Sequence, residues 1–531
     1  MNTPSQAAPS NGADRSSSGD MLFGMGSKLL YAASRVALPP LALAHMGLDE
    51  YGLWSACFVL VSYVGMAASG FSLVYLRHSA RHHQAGDIAA ISRLLSTGIL
   101  TMGLAALLLL SALWLALPSL LTLFRVPQAQ QALATQLWLG AVAVFLADMS
   151  LGAFAHLLHA TGRLRLEQKV WVAAFVLEAL LIVGLLQLGL GVHALLLAFA
   201  GRYLFSALSN AWLACKGLPG LRLSPRLFDR SLLKSFFVYG AGMQASGLIA
   251  TALQSADRLL AGSLMGPAAA ALMDLAGKLP VSASSVSASV SGVAVSATAR
   301  HDAGGDRAGI AQVYRAATRL TVASLALIMP FLALFAPLLV LAWLGPQGAH
   351  AEVAVLMPWL VLAHHAHLLT GPATALARGQ GRLNMDFAYH GLRAVLMLAS
   401  LLLLLGRGAA PSLLDLALAL CLAQIAAAAL FITQAQQILL GSRSGLLRDL
   451  ALPTLGAYGL AALLAQCWPA QLPAGALLES AGRLPALAAA SAALLLWLAL
   501  AAVLLWNGLL SPAERQGLRR RLPRARFRRA A

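Results

Sequence analysis

Residues Ala80–Asp87 read ARHHQAGD, and residues Ala299–Asp306 read ARHDAGGD. Each stretch follows directly on a long apolar run. They match at Ala, Arg, His, Gly and Asp at a constant offset of 219 residues, and the same offset carries Met46-Gly47 onto Met265-Gly266. A loop repeated together with its upstream mark points to duplication of a larger unit. Composition says what that unit is made of. Of 531 residues, 59% are hydrophobic and only 11% are charged, and the mean hydropathy is +0.77. A water-facing domain carries about 25% charged residues, so this chain is not built to cover a soluble surface. Apolar runs of roughly 20 residues, enough to cross ~30 Å of hydrocarbon, recur from end to end. Lipid offers backbone N–H and C=O groups no partner, and the runs are too long for barrel strands. The expected class is an all-α polytopic membrane protein.

About fourteen transmembrane helices are expected, at residues 21–45, 52–76, 94–117, 134–159, 170–189, 193–214, 236–261, 268–297, 317–344, 353–377, 385–405, 412–435, 450–468 and 487–509. Pro39-Pro40, Pro280, Pro330 and Pro372 fall inside spans, where a membrane bundle tolerates them as kinks. Loop charge orients the bundle. The loops after even-numbered spans, with the C-terminal tail, hold 26 Lys and Arg; the opposite loops hold three, Arg125, Arg407 and Arg483. The positive side is the cytoplasmic one, so both termini are expected in the cytoplasm. The net charge of +18 is then mainly topology. The tail RRRLPRARFRR is read as holding anionic membrane lipids, and no nucleic-acid partner is expected.

The two repeated loops are six spans apart, an even number, so both fall on the cytoplasmic side. This predicts a parallel pseudo-repeat of two six-helix lobes related by an axis along the membrane normal. The N-lobe takes residues 21–215, a cytoplasmic linker 216–235, and the C-lobe 236–437. Residues 450–510 add two C-terminal helices outside the repeat. Residues 1–20 are expected to be a disordered tail and 511–531 a basic cytoplasmic tail. The segment before the first span is not basic, so no signal peptide is expected there, and Met21 is an alternative start. Cys57, Cys215, Cys421 and Cys467 are scattered without ligand spacing and read as small packing residues.

At Met46–Ser55 the chain reads MGLDEYGLWS, preceded by SRVALPPLALAHMG and followed by YVGMAASGFSLVYLRHSAR. Further on come SADRLLAGSLMG, DLAGKLP and the ATARHDAGGD loop. In order and spacing these resemble the oligosaccharide-lipid flippases of the multidrug/oligosaccharidyl-lipid/polysaccharide exporter superfamily, over residues of about 21–440. The resemblance implies transport of a lipid-linked oligosaccharide for O-antigen, capsule or exopolysaccharide assembly across a bacterial inner membrane. It also implies a polysaccharide polymerase and a chain-length regulator as partners. Two departures stand out. Many relatives read LDLG where this chain has Ala67-Ala68-Ser69-Gly70, and many carry Tyr where it has Met273. The peptidoglycan-precursor flippases of the superfamily carry Arg-Asp in the first helix, where this chain has Arg35-Val36. A cation-coupled drug exporter, the other relative, favours acids over bases in its lumen.

Ten charged residues inside the spans are singled out as candidates: Lys28, Arg35, Arg202, Arg258, Lys278 and Arg393, with Asp148, Glu178, Asp257 and Asp274. A charge at the bilayer centre costs about 2.5–3.5 kcal/mol on insertion scales, so each must face a cavity or a partner. Lys28 and Arg35 are two helical turns apart and share a face. Asp274 and Lys278 stand four apart with the acid first, the favourable order for a pair within one helix. Asp257 and Arg258 are adjacent, so each is expected to find its own partner. The six cations are the substrate-binding candidates: a lumen rich in cations suits an anionic cargo such as a polyprenyl pyrophosphate. Cross-helix pairing of Lys28, Arg35, Arg202 or Arg393 with Asp148 or Glu178 is the competing reading. The four acids, with His364 and His367, are candidates for ion coupling or for structural pairing. His364-His365-x-His367 reads as a polar lining or a proton-exchanging group rather than a metal site, because residues 364 and 367 share a face and 365 does not. No G-x-x-x-x-G-K-[ST] occurs, and no nucleotide or other cofactor is expected. Outer loops of about 20 residues or fewer speak against a polymerase or ligase, so no enzyme activity is expected.

Overall fold

The computed structural model describes residues 34–233, 236, 249–346, 350–408, 410–440, 447–468 and 483–508, and every element of length among them is helical. A helical segment at residues 34–43 comes first. Then follow α1 (Leu48–Gln84), α2 (Ile88–Leu123), α3 (Gln131–Leu151), α4 (Ala153–Ala160), α5 (Leu164–Gln187) and α6 (His193–Gly217). After a linker come α7 (Ala256–Met265), α8 (Pro267–Ala303), α9 (Arg307–Leu334), α10 (Ala336–Leu344) and α11 (His350–Leu369). The chain ends in α12 (Gly371–Gly379), α13 (Leu383–Leu405), α14 (Leu413–Leu440), α15 (Leu452–Cys467) and α16 (Arg483–Gly508).

Ten spans among the described residues are long and apolar enough to cross a membrane. They match ten of the fourteen expected. The expected spans 52–76 and 268–297 lie within α1 and α8, two 37-residue helices of lower apolarity. The expected spans 21–45 and 236–261 fall in part outside the described residues. The ninth expected span, 317–344, is broken at Phe335. Pro337 opens α10 there, and its ring clashes with the carbonyl four residues back.

The 219-residue offset governs the whole series of helix boundaries. It maps Leu48–Gln84 onto Pro267–Ala303, and the starts of α2, α3 and α5 onto those of α9, α11 and α13. The repeated loops close alike. Gly86 and Gly305 take φ of 68° and 67°, the left-handed conformation that glycine adopts without a Cβ clash. The next residue, Asp87 or Asp306, caps the following helix by accepting from the backbone N–H three residues on, at 2.8 Å in both copies. The backbone bonds before the cap also correspond: Asp87 N–H to His82 O at 3.0 Å, and Asp306 N–H to His301 O at 2.9 Å. The shared Ala, Arg, His, Gly and Asp are therefore a helix stop and a helix start.

The chain divides into two compact units, Met1–Ala271 and Leu272–Ala531, with the division inside α8. In the first unit Tyr75, Ile91, Leu94, Leu95, Phe154, Leu157 and Phe236 form a buried core. Gly98 is required there, since a Cβ would overlap the Tyr75 hydroxyl. Trp138 is fully buried and donates its indole N–H to Leu53 O at 3.0 Å, tying α3 to α1. In the second unit α15 and α16 present Ala457, Ala461, Ala465, Ala486, Ala490 and Ala493 to the core around α9 and α10. Small side chains allow close backbone approach, the main source of helix association in lipid. Trp497 donates to Leu327 O at 2.8 Å and Arg483 to Trp343 O at 2.6 Å. The two C-terminal helices are thus packed into the second unit.

Candidate functional site

The hairpin of α5 and α6 carries the most concentrated charge inside the membrane. Phe175 and Glu178 stand three apart on one face of α5; Phe199, Arg202 and Tyr203 share a face of α6. Packing the two faces buries Glu178 to 3% exposure, a carboxylate that hydrocarbon would not tolerate alone. Its partners come from two elements. Arg35, in the first helical segment, donates Nη2 to Oε2 at 3.1 Å and to Oε1 at 3.3 Å. Arg202 brings Nε within 3.4 Å of Oε2, an ion pair without hydrogen-bond alignment. Asp148 on α3 lies within Coulombic reach of Arg202.

Aromatic rings complete the enclosure. The Arg202 guanidinium lies 4.0 Å from the Tyr203 ring centre, 4.8 Å from Phe175 and 5.3 Å from Phe199. Arg35 lies 5.8 Å from both Phe58 and Phe175. A guanidinium is weakly hydrated and attracted to ring faces, which makes arginine the cation suited to such a place.

The second unit holds a polar cluster of another kind. His367 Nδ1 is 2.7 Å from the Tyr389 hydroxyl, which also accepts from Gln424 Nε2 at 2.9 Å. Arg393, 8% exposed, lies within Coulombic reach of His367, Tyr389 and His390. Towards the start of α13, Arg378 pairs with buried Asp386 at 2.6 Å. The offset again applies: His159 pairs with Glu167 at 2.9 Å, at the positions matching 378 and 386.

Of the other sequence candidates, Lys28 lies outside the described residues. Asp274 and Lys278 form the expected pair within one helix at 2.7 Å. Asp257 and Arg258, expected to find separate partners, approach each other at 4.0 Å. The histidine run divides three ways. His364 bonds to Leu360 O, His365 to the Tyr458 hydroxyl on α15, and His367 to Tyr389. Tyr203, Phe175, Tyr389, Gln424, Arg378 and Asp386 were not singled out by the sequence reading. Gln424 had a signal, a lone amide in the run LALALCLAQIAAAAL. So did Asp386, His390 and Arg393, spaced four and three along one helix face.

Long apolar helices in two matched series, with charges paired among them, make an all-α polytopic membrane protein. Solved structures share that fold. A lipid II flippase MurJ in an inward closed conformation matches with TM-score 0.66 at 12% identity, covering 90% of this chain and 97% of that one. An inward-facing multidrug resistance MATE family transporter of the MOP superfamily matches with TM-score 0.62 at 16% identity, covering 80% and 95%. A Vibrio cholerae MATE transporter matches with TM-score 0.51 at 16% identity, covering 80% and 99%. At these identities the likeness is one of fold. No curated protein sequence matches the chain. The family model described as polysaccharide biosynthesis protein matches residues 46–351, and the chain belongs to that family.

Proposed function

We propose that the chain carries a polyprenyl-pyrophosphate-linked oligosaccharide from the cytoplasmic to the outer leaflet of a bacterial inner membrane, by alternating access. On this reading both termini are cytoplasmic. The cargo feeds O-antigen, capsule or exopolysaccharide assembly, and no covalent chemistry takes place on the chain. The membrane polymerase and the chain-length regulator of that assembly are its functional partners. One observation supports this most: Arg35 and Arg202, from separate helices, share the single buried carboxylate of Glu178. Without cargo, Glu178 stabilises two guanidiniums that hydrocarbon would otherwise penalise. A pyrophosphate has the same charge sign, more acceptor oxygens and the same preference for a planar fork of donors. Cargo binding is then an exchange of one anion for another at an existing pair of cations. The hydrophobic tail stays in lipid throughout.

Reconstitution tests the proposal. Purified protein in liposomes carrying a polyprenyl-pyrophosphate oligosaccharide on both leaflets should expose the inner-leaflet sugar to an external lectin or glycosidase. Protein-free liposomes should leave about half of it protected. A chain that leaves the sugar protected but moves cationic dyes would be a drug exporter. One that moves only the peptidoglycan lipid precursor would belong with the precursor flippases.

A further inference from the structure

The linker between α6 and the residues after 233 is a strap laid along the N-terminal end of α2. Three hydroxyls of α2 accept from its backbone: Ser92 from Arg222 N–H at 3.1 Å, Ser96 from Ser224 N–H at 3.2 Å and Thr97 from Asp229 N–H at 2.9 Å. Those hydroxyl residues are at most 3% exposed. Short turns at Pro225–Leu227 and Arg230–Leu232, capped by Ser224 and Asp229, keep the strap in register. Leu218, Leu221 and Leu232 face the core cluster, where the Phe236 ring meets Tyr75 at 5.4 Å. The matching positions of the second unit are Ala311, Arg315 and Ala316, which have no hydroxyl to offer.

Its outer side has a pattern. Arg222, Arg226 and Arg230 recur every fourth residue and are exposed. Between them Leu223 and Phe228 remain 47% and 41% exposed, although apolar partners lie close by. A solvated charged loop has no use for two large apolar side chains held outward. The lipid-facing surface of α2 begins close by, with Leu100, Leu104, Leu107 and Leu108 exposed along the helix. Leu100 is three residues past Thr97, roughly 4.5 Å along the axis at 1.5 Å per residue. Arginines spaced among outward Leu and Phe, one helical turn from the lipid face, match an anionic interface: guanidiniums at the headgroups, apolar side chains below them.

We infer that the strap of residues 218–233 is a docking surface for anionic phospholipid headgroups of the adjoining leaflet. Arg222, Arg226 and Arg230 contact the phosphates, and Leu223 and Phe228 insert at the interface. The hydroxyl bonds pre-set the spacing, so the lipid does not have to order the loop. This surface does not depend on the cargo, and it stands whether the chain moves oligosaccharide lipid or another substrate.

The test uses the full chain in nanodiscs. In a variant with Cys57, Cys215, Cys421 and Cys467 replaced by Ala, a nitroxide is attached at Phe228→Cys or, as a lipid-facing control, at Leu104→Cys. In phosphatidylglycerol-containing discs the label at position 228 should collide with dissolved oxygen more than with a water-soluble nickel complex, as the control does. Phosphatidylglycerol retained on purified protein, read by native mass spectrometry, should fall about fivefold for each arginine changed to Gln. R222K, R226K and R230K together should retain most of it, and inorganic phosphate should not compete. A label at position 228 open to nickel in anionic discs would overturn the inference. So would phosphatidylglycerol retention unchanged in the triple Gln variant, or displacement by inorganic phosphate.

Discussion

Asp148 in the first unit and His367 in the second stand at matching places of the repeat, 219 residues apart, inside helices whose boundaries also match. Around Asp148 lie Arg202, Glu178 and Arg35, a cluster of formal charges set among aromatic rings. Around His367 lie Tyr389 and Gln424, joined by hydrogen bonds that need no net charge, with Arg393 as the neighbouring cation. Duplication preserved the backbone plan, its caps and its left-handed glycines. The side chains aimed inward diverged: Glu178 corresponds to Met397, Arg202 to Cys421, and Arg393 to Ala174. A repeated scaffold is therefore no evidence of a repeated site. Among the described residues, the two arginines that share one buried carboxylate belong to the first unit.

Four substitutions sharpen or break that contrast. The largest effect is expected from Glu178→Gln, which leaves Arg35 and Arg202 facing each other without their shared carboxylate. Removing one partner of a buried ion cluster costs about 3–5 kcal/mol, so thermal unfolding in detergent should shift sharply downward. An unchanged midpoint would mean that water already screens the cluster. Tyr389→Phe should cost less, about 1–3 kcal/mol, because it strands neutral partners on His367 and Gln424. If Tyr389→Phe were the more damaging of the two, the assignment of charge and neutrality to the two units would be wrong.

The third substitution concerns the two corner pairs, His159–Glu167 and Arg378–Asp386. Arg378 is charged at every physiological pH, whereas the imidazole is charged only when protonated. Arg378→His should lower stability by about 1 kcal/mol or less at about pH 8 and by less still at about pH 5.5, read from unfolding midpoints. A loss independent of pH would show that the corner is held by packing. Asp306→Asn is the smallest. The Gly309 N–H and His301 beside it hold the Asp306 carboxyl below the usual carboxylate range. A depressed folded value stabilises above the ordinary carboxylate pKa and ceases to do so as pH falls through the folded one. The native protein should therefore outlast the variant slightly at neutral pH, and the gap should close in strong acid.

Ten of the spans and the duplicated plan were legible in the sequence because each rests on local order: run length and a constant offset. Asp274–Lys278 was legible for the same reason, four residues apart on one helix. The Arg35–Glu178 pair joins residues 143 apart in sequence, and periodicity says nothing about which helices meet. Tyr389 was hidden differently, since a ring with one hydroxyl in an apolar helix looks like core until its partners are known. The C-terminal pair read as lying outside the repeat. Their alanine stripes mark a packing face only once α9 and α10 are placed against them.

Surface polysaccharide per membrane-inserted molecule, compared for Arg35→Ala, Arg35→Lys and the native chain, tests the central claim most directly. Arg35 reaches Glu178 through Nη2 and, on the proposed reading, grips the pyrophosphate through its planar set of donors, so Arg35→Ala should abolish export per inserted molecule. Arg35→Lys keeps the charge, loses the fork and should retain part of the output. Normal output per molecule in Arg35→Ala would contradict the account, leaving the cluster around Glu178 a structural tie with no part in moving cargo.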